Sequence, residues 1–131
     1  MTIPETVVRK VISLAKAANQ ANEQYLDKFF SDGIISFGVD RHEDSPEYKD
    51  YKQKNMELYE FVESLEYPYI LDLEALMSLG RGDGGTFESA RQYFGSSFPD
   101  ASQSSSAVGY LTSKSPLGEY LEEALHITGI K

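Results

Sequence analysis

The chain has 131 residues, 40% of them hydrophobic and 25% charged, with no cysteine and a formal net charge of −9 from 21 acids and 12 bases. This composition describes one ordinary globular domain, residues 1–131, large enough to bury a core unaided, and it excludes disulfide frameworks, thiolate metal sites and cysteine nucleophiles. The acid excess argues against nucleic acid as a partner, because that binding rests on neutralising phosphates with Lys and Arg.

Thr2 and Glu5 stand at capping-box spacing and Pro4 suits a first turn. From there Val7, Val8, Val11, Ile12, Ala15, Ala18, Ala21, Tyr25, Leu26 and Phe29 recur at helical spacing, which predicts a helix of about seven turns ending at Ser31-Asp32-Gly33. Such a length suits a helix that spans the domain or packs on a second copy of itself. Arg9, Lys10 and Lys16 interrupt any signal-peptide core, and no uncharged apolar run approaches the roughly 18 residues of a membrane span, so a cytoplasmic protein without membrane contact is expected.

Gly33 to Asp44 reads as a loop, in which Ile34-Ile35-Ser36-Phe37 is too short and isolated to define a sheet. Asp40, His42, Glu43 and Asp44 cluster there, but neighbouring side chains diverge and no second histidine stands at ligand spacing, so no metal is expected. Ser45 and Pro46 open a second helix whose buried stripe is Tyr48, Tyr51, Leu58, Tyr59, Val62 and Leu65, with Asp50 and Lys54 paired outside. Pro68 restarts the chain into a short third helix of Ile70, Leu71, Leu73, Leu76, Met77 and Leu79, apolar enough for the centre of the core and ending at Gly80.

Thr86 caps a fourth helix that turns Phe87, Ala90, Phe94 and Phe98 inward. Asp100 to Ser106 reads as a polar loop and Ala107 to Ser113 as a short helix. Ser115-Pro116 opens the last helix, with Leu117, Tyr120, Leu121, Ala124, Leu125 and Ile127 inward, Glu119, Glu122 and Glu123 outward, and Gly129 as its cap. The expectation is an all-α fold, a single-domain bundle of five to six helices with a long N-terminal helix.

The stretch SLGRGDGGTF, Ser78 to Phe87, admits three readings. Gly80, Gly82 and Gly85 satisfy the dinucleotide fingerprint, but a helix precedes them where a strand is needed, and Asp83 would repel a phosphate. Arg81-Gly82-Asp83 spells an adhesion tripeptide, with nothing extracellular to support it. The structural reading places Gly80 at the left-handed position ending the helix, Arg81 by its last carbonyls, and Asp83 as a cap or as the partner of Arg81.

Leu73 to Asp83, LEALMSLGRGD, and Tyr110 to Leu125, YLTSKSPLGEYLEEAL, together resemble a family of small bacterial proteins of unknown function. Its members carry an ALMWLGRGD-like segment and end in a PLLADYLEEGL-like helix, and the likeness runs from Glu47 to Ile130. Ser78 stands where an aromatic is usual, Gly84-Gly85 replace bulkier residues, and Ala124 replaces a glycine. The resemblance implies a helical fold and a shared role for Leu79, Gly80, Arg81, Gly82 and Asp83, and it implies no activity.

Between Met56 and Ala90 the acids Glu57, Glu60, Glu63, Glu66, Asp72, Glu74, Asp83 and Glu88 face one base, Arg81, which reads as a solubilising acidic surface or one made for a basic partner. Tyr48, Tyr51, Tyr59, Tyr67 and Tyr69 crowd the same region, as the margin of the core in preference to a binding face. Glu122 with Glu123 lies on a wet face, and Ser104 to Ser106 lack a base, so neither pattern supports catalysis.

These observations favour a non-enzymatic protein-interaction or regulatory module, bound to a protein partner or to itself, with no cofactor. The alternative is a small-molecule or anion site, catalytic or not, of Arg81, Asp83, Gly80 and Gly82, with Tyr67 and Tyr69, between the third and fourth helices. A cavity of a few hundred Å³ lined by those residues would favour the alternative, and a flat apolar patch above about 600 Å² the interface.

Overall fold

The computed structural model describes residues 3–30 and 46–129, and within them the chain forms helices and no strand. The helices are α1 (Glu5–Phe30), α2 (Pro46–Glu63), α3 (Tyr67–Arg81), α4 (Phe87–Ser97), α5 (Ser104–Thr112) and α6 (Leu117–Thr128). The expected loop at Ile34–Phe37, the Asp40–Asp44 cluster, the caps at Thr2 and Ser45 and the stop at Ser31–Gly33 lie outside the described residues.

The architecture is a shell around α3. Every residue from Ile70 to Leu79 is buried, so this helix has no wet face and must be covered on all sides. It packs on α6, α4 and α5, while α1 covers α2 and α6 and α2 closes against α5. One cluster of buried side chains draws on all six helices, with Val8, Val11, Val62, Leu73, Leu76, Met77, Leu111 and Leu121 among its members. Each large apolar side chain so buried contributes about 1.5–3 kcal/mol, and α3 supplies the densest run of them.

Helix ends follow the local chemistry. Thr86 accepts from the Ser89 backbone N–H and Ser89 returns the bond, a reciprocal cap that starts α4. Gly129 takes the left-handed conformation that closes α6. The Asp50–Lys54 pair forms at 3.4 Å on α2.

Several expectations are corrected. The residue that ends α3 in the left-handed region is Gly82, at φ 89°, with its N–H bonded to the Leu79 carbonyl, and Gly80 remains helical. Gly80 is small for another reason: a Cβ there would lie 1.6 Å from the Tyr120 carbonyl oxygen, so α3 and α6 meet backbone to backbone. The Asp100–Ser106 segment is not a loop throughout, because the Asp100 carboxylate accepts from the Ser102 N–H, starting a 3-10 turn over Ala101–Gln103 that runs directly into α5. Leu26 and Ile127, expected inward, are exposed, although Tyr25 and Leu125 near the same helix ends are buried, so they lie on the outer face of their helices.

Candidate functional site

The six residues singled out from the sequence fall at opposite ends of α3. Tyr67 and Tyr69 lie in its first turn, while Gly80 to Asp83 lie at its end, a separation of about 20 Å at 1.5 Å per residue. They are not brought into one site. The Tyr67 hydroxyl donates to the Phe98 carbonyl, pinning α3 to the end of α4. Burial, followed by the nearby carboxyls of Glu74 and Asp100, pushes its phenol upward. Tyr59, Tyr67 and Tyr69 pack half-buried against the core, and Tyr25 stacks on Tyr51 at 5.6 Å, so these rings form its margin.

At the far end the turn is closed on itself. Arg81 Nη2 donates to Asp83 Oδ2 at 2.6 Å and Arg81 Nε to Oδ1 at 3.2 Å, while the Ser78 hydroxyl donates to the same Oδ2 at 2.9 Å. The Arg81 hydrogen bonds hold the Asp83 carboxyl below its ordinary range, with Ser78 and Lys114 helping, and Asp83 in turn holds Arg81 protonated. Gly82, Gly84 and Gly85 all have positive φ, which accounts for the glycine richness without invoking a ligand.

Two acids of the presumed surface stretch are inside. Asp72 accepts from the Ile3 N–H at 3.1 Å and from Arg91 Nε at 2.9 Å. Glu74 is fully buried with neither carboxyl oxygen hydrogen-bonded, and burial pushes it up to about 8 against the pull of Lys114. Both sit within a run that is apolar on either side, and that was the available signal, since an acid on an all-round buried helix is buried with it.

A polar recess lies elsewhere, where α1 and α2 meet the α5–α6 turn. It is a cleft of about 250 Å³ lined by Asn19, Asn22, Tyr51, Asn55, Thr112 and Lys114, among others. No acid among the described residues lines it, in a chain that carries nine more acids than bases. Ser115 donates to Asn19 Oδ1 at 3.2 Å and Asn55 donates to the Tyr51 carbonyl at 3.0 Å, which fixes two of the carboxamides. Lys114 Nζ rests 4.0 Å from the Tyr110 ring centroid and forms no ion pair among the described residues. The cleft continues through Asn55 and Thr112 into a recess of about 330 Å³ beside Lys52 and Met56, and through Asn19 into one of about 240 Å³ beside Lys16. Sequence reading missed these residues because three separate segments supply them and none makes a motif alone.

No group of three or more metal-ligating side chains occurs among the described residues, and no described helix is long and apolar enough to cross a membrane. The fold defines an all-α domain assembled around one fully buried helix. A family described as Protein of unknown function (DUF3775) matches residues 55–130, and the chain belongs to it. The matched span takes in the end of α3 and the whole of α6, within the Glu47–Ile130 region of the resemblance. No curated protein and no solved structure matches this chain.

Proposed function

We propose that this protein is a non-enzymatic binding module for a small polar ligand, taken up in the cleft between α1, α2 and the α5–α6 turn. The observation that carries this reading is the convergence of Asn19, Asn22 and Asn55 on a recess that no acid among the described residues lines. Small-molecule sites are concave and present a few converging polar groups, and this recess of about 250 Å³ lies just below their roughly 300–1,000 Å³ range. The Arg81–Asp83 turn, the alternative anion site, has its charges satisfied internally, which weakens it as a receptor. A protein partner, met on the acid-rich α2 or through self-association, is the second reading.

The test is thermal unfolding in the presence of a panel of small polar metabolites. A ligand at 100 times its Kd adds about 2.7 kcal/mol, or a Tm rise of roughly 10 °C for a domain of this size. We expect at least one such rise, abolished in Asn55→Leu. A panel that leaves Tm unmoved, or raises it equally in Asn55→Leu, would overturn the cleft as the site.

A further inference from the structure

We propose that Glu74 and Lys114 form a charge switch across the seam between α3 and α5, in which loss of the Glu74 proton draws the Lys114 ammonium off the face of Tyr110. The switch stands apart from the cleft reading. Tyr67, Glu74 and Ser78 are seven and four residues apart, so they share one side of α3, while Tyr110 and Lys114, four apart, come from α5 and the turn after it. Glu74 is wholly buried, and neither of its carboxyl oxygens has a hydrogen-bond partner. The hydroxyl donors on its own side of the helix are committed, Tyr67 to the Phe98 carbonyl and Ser78 to Asp83. A carboxyl so placed keeps its proton, and burial pushes it up to about 8.

Once ionised, Glu74 must gain a cation or draw water in, and Lys114 is the cation that acts on it. The Lys114 ammonium rests 4.0 Å from the Tyr110 ring centroid, makes no ion pair among the described residues, and acts on both Glu74 and Asp83. A ring face holds an ammonium less firmly than a buried carboxylate does through a charge-assisted hydrogen bond, so ionisation favours the carboxylate. The other facing groups do not compete for either partner. Arg81 is held by Asp83, with the Tyr110 hydroxyl helping, and Arg91 of α4 is bound to Asp72. Arg91 and Asp100 act at the far end of the seam, on Tyr67. Towards α3, α6 presents an apolar face, keeping Glu119, Glu122, Glu123 and His126 outside, as α4 keeps Glu88 and Tyr93, and the Tyr120 hydroxyl is given to the Ser115 carbonyl. Lys114 belongs to the turn that walls the cleft, so its departure from Tyr110 makes that wall respond to pH.

The experiment is an NMR titration of the 13C-labelled full chain from about pH 5 to about pH 9.5, below the ordinary lysine range, following the Glu74 carboxyl carbon and the Lys114 ε-methylene. Over the Tyr110 ring face the methylene protons are shielded, and leaving it moves them downfield. The expected result is that they move together with the Glu74 carbon, at one shared midpoint near 8. Glu74→Gln should hold the Lys114 signals at their shielded position throughout, and Lys114→Met should raise the Glu74 midpoint by about half a pH unit or more, with Lys114→Arg keeping it low. Circular dichroism melts in mildly acid buffer show whether each variant is folded, and if Glu74→Gln is not, the Glu74 midpoint in Lys114→Met decides alone. Lys114 signals that stay shielded while Glu74 ionises, or that move equally in Glu74→Gln, overturn the switch. So does a Glu74 midpoint unchanged by Lys114→Met, or a Glu74 carbon that does not titrate in this range. The cleft reading is decided separately, by the metabolite panel.

Discussion

Asp72 and Glu74 stand two residues apart on α3, both buried, and their surroundings could hardly differ more. Asp72 is met by a backbone N–H from the start of the chain and by the Arg91 guanidinium, so its charge is compensated where it lies. Glu74, rotated about 200° around the helix at roughly 100° per residue, points between helices that offer it no donor. One helix thus carries a carboxylate that fastens the fold and a carboxyl whose protonated form the fold favours. What decides between them is the covering element, since the two side chains differ by a single methylene.

Acid–base titration of stability breaks this pair apart most strongly. Unfolded, Glu74 ionises near its ordinary 4.5, and folded near 8, so the folded protein holds an extra proton between those values. Its contribution is fully present below about 4.5 and falls by about 1.4 kcal/mol per pH unit as pH rises towards 8. Denaturant melts should show that decline in the wild type and lose it in Glu74→Gln, whereas a wild type equally stable at pH 5 and pH 8 would mean that Glu74 is solvated after all. Asp72→Ala should cost about 3 kcal/mol, roughly 10 °C in Tm, by stranding the Ile3 N–H and Arg91. A change below about 1 kcal/mol would remove the contrast between the two acids.

Smaller effects come from the turn. Asp83, held low by Arg81, contributes stability that is present above the ordinary carboxylate range and lost as pH falls through its folded value, the opposite limb from Glu74. Asp83→Asn should soften the acid limb of the titration. Arg81→Ala, which removes a partly exposed pair, should cost no more than about 1 kcal/mol, and a Tm drop of ten degrees or more would make this turn as structural as Asp72.

The frame of the fold was legible because its signals are local. Helical spacing, Pro46, Pro68, Thr86 and Gly129 each act within a few residues, and the unbroken apolar run of α3 placed it at the centre. The role of Gly80 was hidden because a glycine at a helix end and a glycine at a helix crossing look alike until Tyr120, forty residues later, is in place. The fate of Asp72 depended in the same way on Ile3 and Arg91, and the cleft on asparagines of two different helices.

The bond from Ile3 to Asp72 ties the outset of the chain to its central helix across 69 residues. The family match begins at residue 55, so this fastening, the whole of α1 and one wall of the cleft belong to the part that precedes it. A fragment trimmed to residues 55–130 would leave Asp72 without the Ile3 N–H and strip Val8, Val11 and Ile12 from the core cluster they complete. The boundary drawn by sequence kinship and the boundary drawn by cooperative folding are different lines in this molecule, and excision along the first would cut through the second.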